Sequence, residues 1–422
     1  MVSDNYKVLL NNNLTCINDN FFTFIEEHED DDVEKLRLKR FSNHDFDTSF
    51  AITQIECRKK IRKKLPEIYG KKRFLFPSVL STEQCTSEVV AKYHATIIGE
   101  VDSFLDMTGG LCIDDYYIAD NVKELLSIEK NEHTADISRY NMSEMRKNIS
   151  VISGDSAEYL RGDVRRYDAI YIDPARRGVN QSRMFGLSDC EPNIIPLLSL
   201  IKSHTDVLYV KASPMLDITQ MLREVSDVTD IWVISLRNEC KELFFKLDFA
   251  LNKRFTIEES ADNIYESPKV HCINFVDENT MQELNYSYLR DKTTSDIIIS
   301  DCVKQYIYEP NASIMKANAF GEVCSRYKVD KVAVNSHLFT SGELVHDFPG
   351  RIFQVEDVIP FKDNLLKKAL KGIKRINVSV RNFKLTAEQL KKRLKVCDGG
   401  SKYLFGTTDA GGEMKVLLCS KI

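Results

Sequence analysis

The sequence predicts an α/β protein built on a mostly parallel sheet, with a helical segment before it and α+β modules after it. Three observations predict this. Between residues 101 and 275, short apolar runs alternate with stretches of helical spacing: VDSFLDM, LLSIE, ISVIS, DAIYI, VLYV, IWVIS, ELFFKL and KVHCINF. Short runs that are apolar throughout and separated by helices read as strands buried on both faces and joined by crossovers. The last runs follow one another more closely, which predicts antiparallel strands at one edge of the sheet. Finally, several of these strands end on small polar residues, where open α/β sheets place their ligands.

Residues 1–95 read as a helical segment. Apolar positions recur at helical spacing in ITQIECRKKIRKKL. In LSTEQCTSEVVAKYHATII, Ser81 is positioned to cap a helix, and Gln84 three residues later completes a capping box. Residues 96–278 hold the α/β core. Residues 279–350 turn to mixed α+β, punctuated by Pro310, Gly342 and Pro349. Residues 351–422 close the chain, with RINVSVRNFKLTAEQLKKRLKVCDGGSKYLFGTTDAGGEMKVLLCS read as strand, helix, Gly-Gly turn, strand, Gly-Gly turn, strand.

Composition narrows the class. The chain has 422 residues and 43% apolar content, enough for two to four domains at roughly 100–200 residues each. It contains no apolar run of about 18 residues, so no membrane span is expected. The opening MVSDNYKVLLNNN has no apolar h-region, and the 11 cysteines are scattered with no Cys-x-x-Cys pair. Both point to a reducing cytoplasm, and no metal site is expected. The net charge of −5 hides an asymmetry, since residues 362–422 hold 15 Lys/Arg and 5 Asp/Glu. A basic module on an acidic chain suits a polyanionic partner or a solvated helix face.

The strand ends carry the chemistry. The first strand runs into LDMTGGLCIDD, where Asp106, Thr108, Gly109 and Gly110 form a small-residue turn that lets backbone approach a ligand. The second ends at Glu129, 23 residues after Asp106, a spacing that suits a carboxylate accepting from ribose hydroxyls. The third ends at Asp155 and Ser156, suited to an adenine amino group or to capping the next helix. The fourth ends in DAIYIDPARR, where Pro174 stops the ladder after Asp173. A nicotinamide dinucleotide would require Gly-x-Gly-x-x-Gly to seat its pyrophosphate, and the chain has none. S-adenosylmethionine carries no phosphate and fits a shorter, more acidic loop.

On LDMTGGLCID, IEKN, SGDS and DAIYIDPARR the sequence resembles class I S-adenosylmethionine-dependent methyltransferases, a Rossmann-like fold. EQCTSE, DPARR, KASPMLDI, NECKEL, YIYEPNASIMKA and VRNFKLTAEQLKKRL…GGSKYLFGTT further resemble one bacterial family from about residue 75 to the end. In that family a helical segment, a methyltransferase core, a ferredoxin-like piece and a THUMP-like domain follow in order. The resemblance implies methyl transfer to RNA (tRNA or rRNA), at a base nitrogen. It assigns Gly109 and Gly110 to the methionine end of the cofactor, Glu129 to its ribose and Asp155 to its adenine. Asp173 is assigned to the reacting nitrogen, which it orients and from which it can take a proton. Cys112 departs from the pattern, since many such loops carry glycine there. Ala175 stands where related motifs have a second proline.

Other residues keep two readings at this stage. Gln84 and Ser87 cover the methionine end of the cofactor or belong to a helix cap. Arg176 and Arg177 grip phosphates or pair with core carboxylates. Lys211, which ends the next strand, contacts a substrate phosphate, pairs with Asp173 or snorkels to the surface. Arg381, Lys391 and Lys392, with Phe383, Tyr403 and Phe405 interleaved, form a candidate RNA surface. Cys240 is a minor candidate for a covalent nucleophile in carbon methylation. Rival readings are a DNA or protein methyltransferase on the same core, or an RNA-binding protein without catalysis. The sequence says nothing of oligomeric state.

Overall fold

The computed structural model describes residues 6–10, 13–41, 45–145, 147–176, 186–251, 267–288 and 297–422. The chain divides into two compact units, Met1–Thr229 with Phe244–Ile264, and Asp230–Leu243 with Tyr265–Ile422.

The first unit contains the predicted parallel strands: β1 (Val101–Asp106), β2 (Val122–Glu129), β3 (Ile149–Ser153), β4 (Ala169–Ile172) and β5 (Val207–Ala212). All four pairings among them are parallel, in the order β3-β2-β1-β4-β5. The order reverses between β1 and β4, so a crevice opens at their carboxyl ends. β1 and β2 are buried mainly in their carboxyl halves, and the edge strand β3 buries only Val151. β4 is buried along its whole length.

The helical segment matches expectation at α1 (Thr48–Ile61), capped by Asp47. Two findings differ from it. Tyr6–Leu10 and Asn13–Ile17 pair as antiparallel strands. Their Val, Leu, Thr and Ile runs flank a cluster of asparagines, a hairpin signal shorter than the helical spacing around it. The expected single helix start at Ser81 is instead two helices, α2 (Val79–Gln84) and α3 (Glu88–Ile98). Ser78 caps α2 in a capping box with Ser81. Ser78-x-x-Ser81 and Ser81-x-x-Gln84 both fit the pattern, and tertiary anchoring of the preceding residues selects the first.

That anchoring is made by two buried amides. Gln54 of α1 donates to the Phe76 carbonyl and accepts from its N–H, both at 2.8 Å. Asn141, in α5 (Glu132–Glu144), does the same for Leu75 at 2.8 Å each way. An extended segment with no neighbouring strand thus has its backbone groups paired on both sides. Phe74, Leu75 and Phe76 are buried, which fixes where α2 begins.

β6 (Val228–Leu236) belongs to the second unit from Asp230 on and β7 (Glu239–Asp248) as far as Leu243; within that unit β6 pairs in parallel with β8 (Lys269–Phe275). β9 (Met281–Ser287), in residues read from the sequence as part of the following α+β module, runs antiparallel to β8 in the same sheet. A seven-stranded sheet follows, made of β10 (Tyr306–Pro310), β11 (Asp330–Lys331), β12 (Phe339–Ser341), β13 (Gly350–Pro360), β14 (Asn377–Arg381), β15 (Lys402–Thr408) and β16 (Met414–Lys421). The strand–helix–strand–strand reading of the chain's end holds, with α6 (Ala387–Leu394) between β14 and β15. Leu366, Leu390, Leu404, Val416 and Leu418 share one core cluster, and Phe353, Phe405 and Leu417 another.

Asn141→Ala leaves the N–H and carbonyl of Leu75 unpaired in the core. It is expected to cost about 2–4 kcal/mol of stability, measured by denaturant unfolding.

Candidate active site

The loop after β1 forms the floor of a cavity of about 730 Å³ in the first unit. Asp106 Oδ1 accepts from the Thr108 N–H at 2.7 Å and from its hydroxyl at 3.1 Å. Thr108 Oγ1 in turn accepts the N–H of Asp173 at 2.7 Å, so one threonine ties the carboxyl ends of β1 and β4 together. Gly109 passes so close to β2 that a Cβ there would lie 2.2 Å from Ser127 Oγ. Gly110 has φ +52° and donates its N–H to Glu129 Oε2 at 2.8 Å. Glu129 Oε1 accepts from Asn131 N–H at 2.6 Å, so each carboxylate oxygen is oriented by one backbone donor.

Cys112 also has a left-handed φ of 55°, the conformation for which glycine is favoured. It is buried, with its thiol 3.4 Å from Ser127 Oγ. Burial, followed by the nearby Asp115 charge, pushes that thiol well up, so it is held as a neutral thiol. Asp106 and Asp115 lie near each other below the loop, and burial raises both carboxyls, Asp115 to about 6.

The wall opposite is ionic. Asp173 Oδ2 is 2.6 Å from Lys211 Nζ at the end of β5. Lys211 also donates to Thr86 Oγ1 at 2.8 Å and lies 3.4 Å from Asp114 Oδ2. Thr86 donates to Asp114 Oδ2 at 2.6 Å, and His94 Nδ1 is 2.9 Å from Asp114 Oδ1. Burial alone would raise Asp114. The Lys211 charge and the hydrogen bonds from His94 and Thr86 overcome it and hold the carboxyl well below the usual range.

The cavity brings together Gln84, Asp106, Thr108, Gly109, Gly110, Glu129, Asp155, Ser156, Asp173 and Lys211 from the predicted set. Asp155 caps the helix Ser156–Gly162 through Oδ1, and its Oδ2 lies 3.6 Å from Lys130, so both readings of this residue are compatible with its place. Ser87 caps α3 without a side-chain hydrogen bond and is not among the lining residues. Lys211 is buried rather than snorkelling to the surface. Arg176 is described only in its backbone, within the short strand Ala175–Arg176, and Arg177 lies outside the described residues.

In the second unit, Arg381 pairs with the buried Glu309, which also holds Arg351. Lys391 is bound by Asp398 and Glu388. Both are therefore engaged within the protein rather than presented outward, whereas Lys392 is exposed. Lys367, Lys368, Lys371, Lys374, Lys384 and Lys395 are exposed as well. Phe383 and Tyr403 pack against the core clusters, and Phe405 lies within one. Cys240 does not line the cavity, and burial pushes its thiol up to about 11.

Sequence reasoning missed Thr86, His94 and Asp114. The only local signal was Asp114-Asp115 at a helix start, a position where acidic residues are common for their effect on the helix dipole. Among the described residues no group of three His, Cys, Asp or Glu could hold a metal, and no helix is long and apolar enough to cross a membrane.

Two families match the end of the chain: one described as a ferredoxin-like domain over residues 306–349, and one described as THUMP domain-like over 350–421. The structure is similar to that of a candidate methyltransferase from Porphyromonas gingivalis W83. The TM-score is 0.84 and the identity 31%, covering 95% of this chain and 97% of that one. An rRNA methylase from Streptococcus thermophilus matches at TM-score 0.29 and 11% identity, over 38% of this chain and 94% of that one. A tRNA (uracil-54, C5)-methyltransferase from Pyrococcus abyssi matches at 0.28 and 16%, over 42% of this chain and 40% of that one. At such scores these last two likenesses carry no argument. No curated protein matches the chain.

Asp106 and Asp115 have folded-state values above those of the unfolded chain. Their contribution to stability is therefore greatest at low pH, and that of Asp115 is lost as pH rises from the ordinary carboxylate range through about 6. Asp115→Asn is expected to melt progressively higher relative to wild type as pH rises from about 4 to about 7, and to keep a constant difference above that. A constant difference in melting temperature below about pH 7 would contradict the assignment.

Proposed function

Because the chain belongs to the family of class I methyltransferases that carry ferredoxin-like and THUMP-like domains at their C-terminus, we propose that it methylates RNA from S-adenosylmethionine. The observation that carries this reading is a single cavity holding Glu129, oriented over the Gly110 backbone, together with Asp173 pinned by Thr108 and Lys211. The lining carries the carboxylates Glu129 and Asp155, with Asp114 and Asp173 sharing the single charge of Lys211. Such a wall suits a cationic cofactor with ribose hydroxyls and repels one with phosphates.

When bound, S-adenosylmethionine supplies an electrophilic methyl group on sulfur. The protein's part is orientation and proton handling. Glu129 accepts from the ribose, Gly109 and Gly110 bring backbone close to the amino-acid end, and Asp155 reaches the adenine through Oδ2. Gln84 closes over the methionine end. Asp173 accepts a hydrogen bond from the N–H of the target base and so aims the nitrogen lone pair at the methyl carbon. Asp173 would then take the surplus proton from the methylated nitrogen. The THUMP-like domain, with exposed lysines such as Lys392, supports RNA as the acceptor and the cytoplasm as its location.

Glu129→Ala is expected to lose cofactor binding in calorimetry. Asp173→Ala is expected to keep binding within about threefold and to lose transfer by about 100-fold or more. Nucleoside mass spectrometry of RNA from cells with and without the gene tests the substrate. One methylated nucleoside missing from the deletion strain identifies the target atom, and an unchanged profile argues for DNA or protein.

A further inference from the structure

We propose that Thr86, Asp114 and His94 are positioning residues for the transfer carboxylate. They hold the Lys211 ammonium inward so that its charge serves Asp173 and not a substrate phosphate. The inference rests on the methyltransferase reading above. An ammonium has three donors and no acceptor. Lys211 has three oxygens in reach: Asp173 Oδ2 at 2.6 Å, Thr86 Oγ1 at 2.8 Å and Asp114 Oδ2 at 3.4 Å. The side chain is 11% exposed, so the ammonium is largely withdrawn from bulk solvent.

The directions of these bonds are consistent with one another. The Thr86 hydroxyl has one proton, given to Asp114 Oδ2 at 2.6 Å, and its lone pair is thereby turned to Lys211. Asp114 Oδ1 is fixed by His94 Nδ1 at 2.9 Å. His94 is fully buried, and its ring is stacked on Phe244 at 4.4 Å with an interplanar angle of 18°. That stacking fixes the plane in which its nitrogens point. Tyr171, one strand position before the end of β4, approaches Asp114 Oδ2 at 3.4 Å. The cation is thus centred between Asp114 and Asp173 by groups from separate elements: the link between α2 and α3, α3 itself, the helix Ile113–Ile118 and strand β4.

Thr86→Val removes the hydroxyl at nearly constant volume, and Thr86→Ser keeps it. Transfer is assayed with labelled S-adenosylmethionine on RNA from a strain lacking the gene. Thr86→Val is expected to lower kcat about 10- to 100-fold while cofactor affinity and the KM for RNA stay within about threefold. Thr86→Ser is expected to retain kcat within about threefold. Asp114→Asn is expected to follow Thr86→Val and carries the test if the valine variant does not fold. Acylation of Lys211 by acetic anhydride, followed by peptide mass spectrometry, needs no acceptor. Labelling is expected to be slow in wild type and Thr86→Ser, and faster in Thr86→Val and Asp114→Asn.

A valine variant with wild-type kcat, or one whose loss lies in the KM for RNA with a shallower salt dependence, overturns the inference. If wild type methylates no RNA, the function proposed above fails. The acylation series then decides the positioning role alone, and equal labelling in all four proteins overturns it.

Discussion

Two carboxylates, Asp114 and Asp173, share one buried ammonium, and the geometry of the cavity wall follows from that constraint. A charge removed from water is tolerated only where opposite charge and hydrogen bonds replace its hydration. Asp114 meets the condition through Lys211, His94 and Thr86, and Lys211 meets it through both carboxylates and the threonine. Removing any one partner leaves another underpaired. The cluster therefore acts as a set, and the carboxyl end of β5 is bound to the segment that enters α3.

The floor of the cavity uses a different device. There the backbone is the donor: Gly110 and Asn131 orient Glu129, and Thr108 carries the turn from Asp106 across to Asp173. Two left-handed residues in close succession, Gly110 and Cys112, make the loop tight enough for this. Cysteine occupies a conformation in which glycine is easier, and the thiol beside Ser127 fills space on the β2 side. The departure from the family pattern is therefore accommodated by packing, at the cost of a strained φ.

The second unit shows how far net charge misleads about position. Composition alone makes residues 362–422 a basic surface. Several of those cations are engaged by carboxylates of the same unit: Arg381 by Glu309, Lys391 by Asp398, Arg393 by Asp363 and Lys402 by Glu356. The aromatic residues interleaved with them sit in or against the core. What faces solvent is a smaller set of lysines, and only that set has its full electrostatic reach.

The parallel strands and most of the residues at their carboxyl ends that line the cavity were legible in the linear sequence. Each depends on local pattern: apolar runs set the strands, and Asp106, Gly109, Gly110, Glu129, Asp155 and Asp173 lie at strand ends by sequence alone. The capping serine was not legible, because Ser78 and Ser81 both satisfy the local rule and Gln54 and Asn141 decide between them from far along the chain. Nor were Thr86, His94 and Asp114. Each is unremarkable where it stands, and each acquires its role only when folding brings it to Lys211, 97 to 125 residues away for the two that touch it. Sequence periodicity determines which elements form and where they end. Pairing of buried charge is a property of three-dimensional proximity, so only the tertiary structure decided which carboxylates hold Lys211 and which lysines of the second unit are left to face solvent.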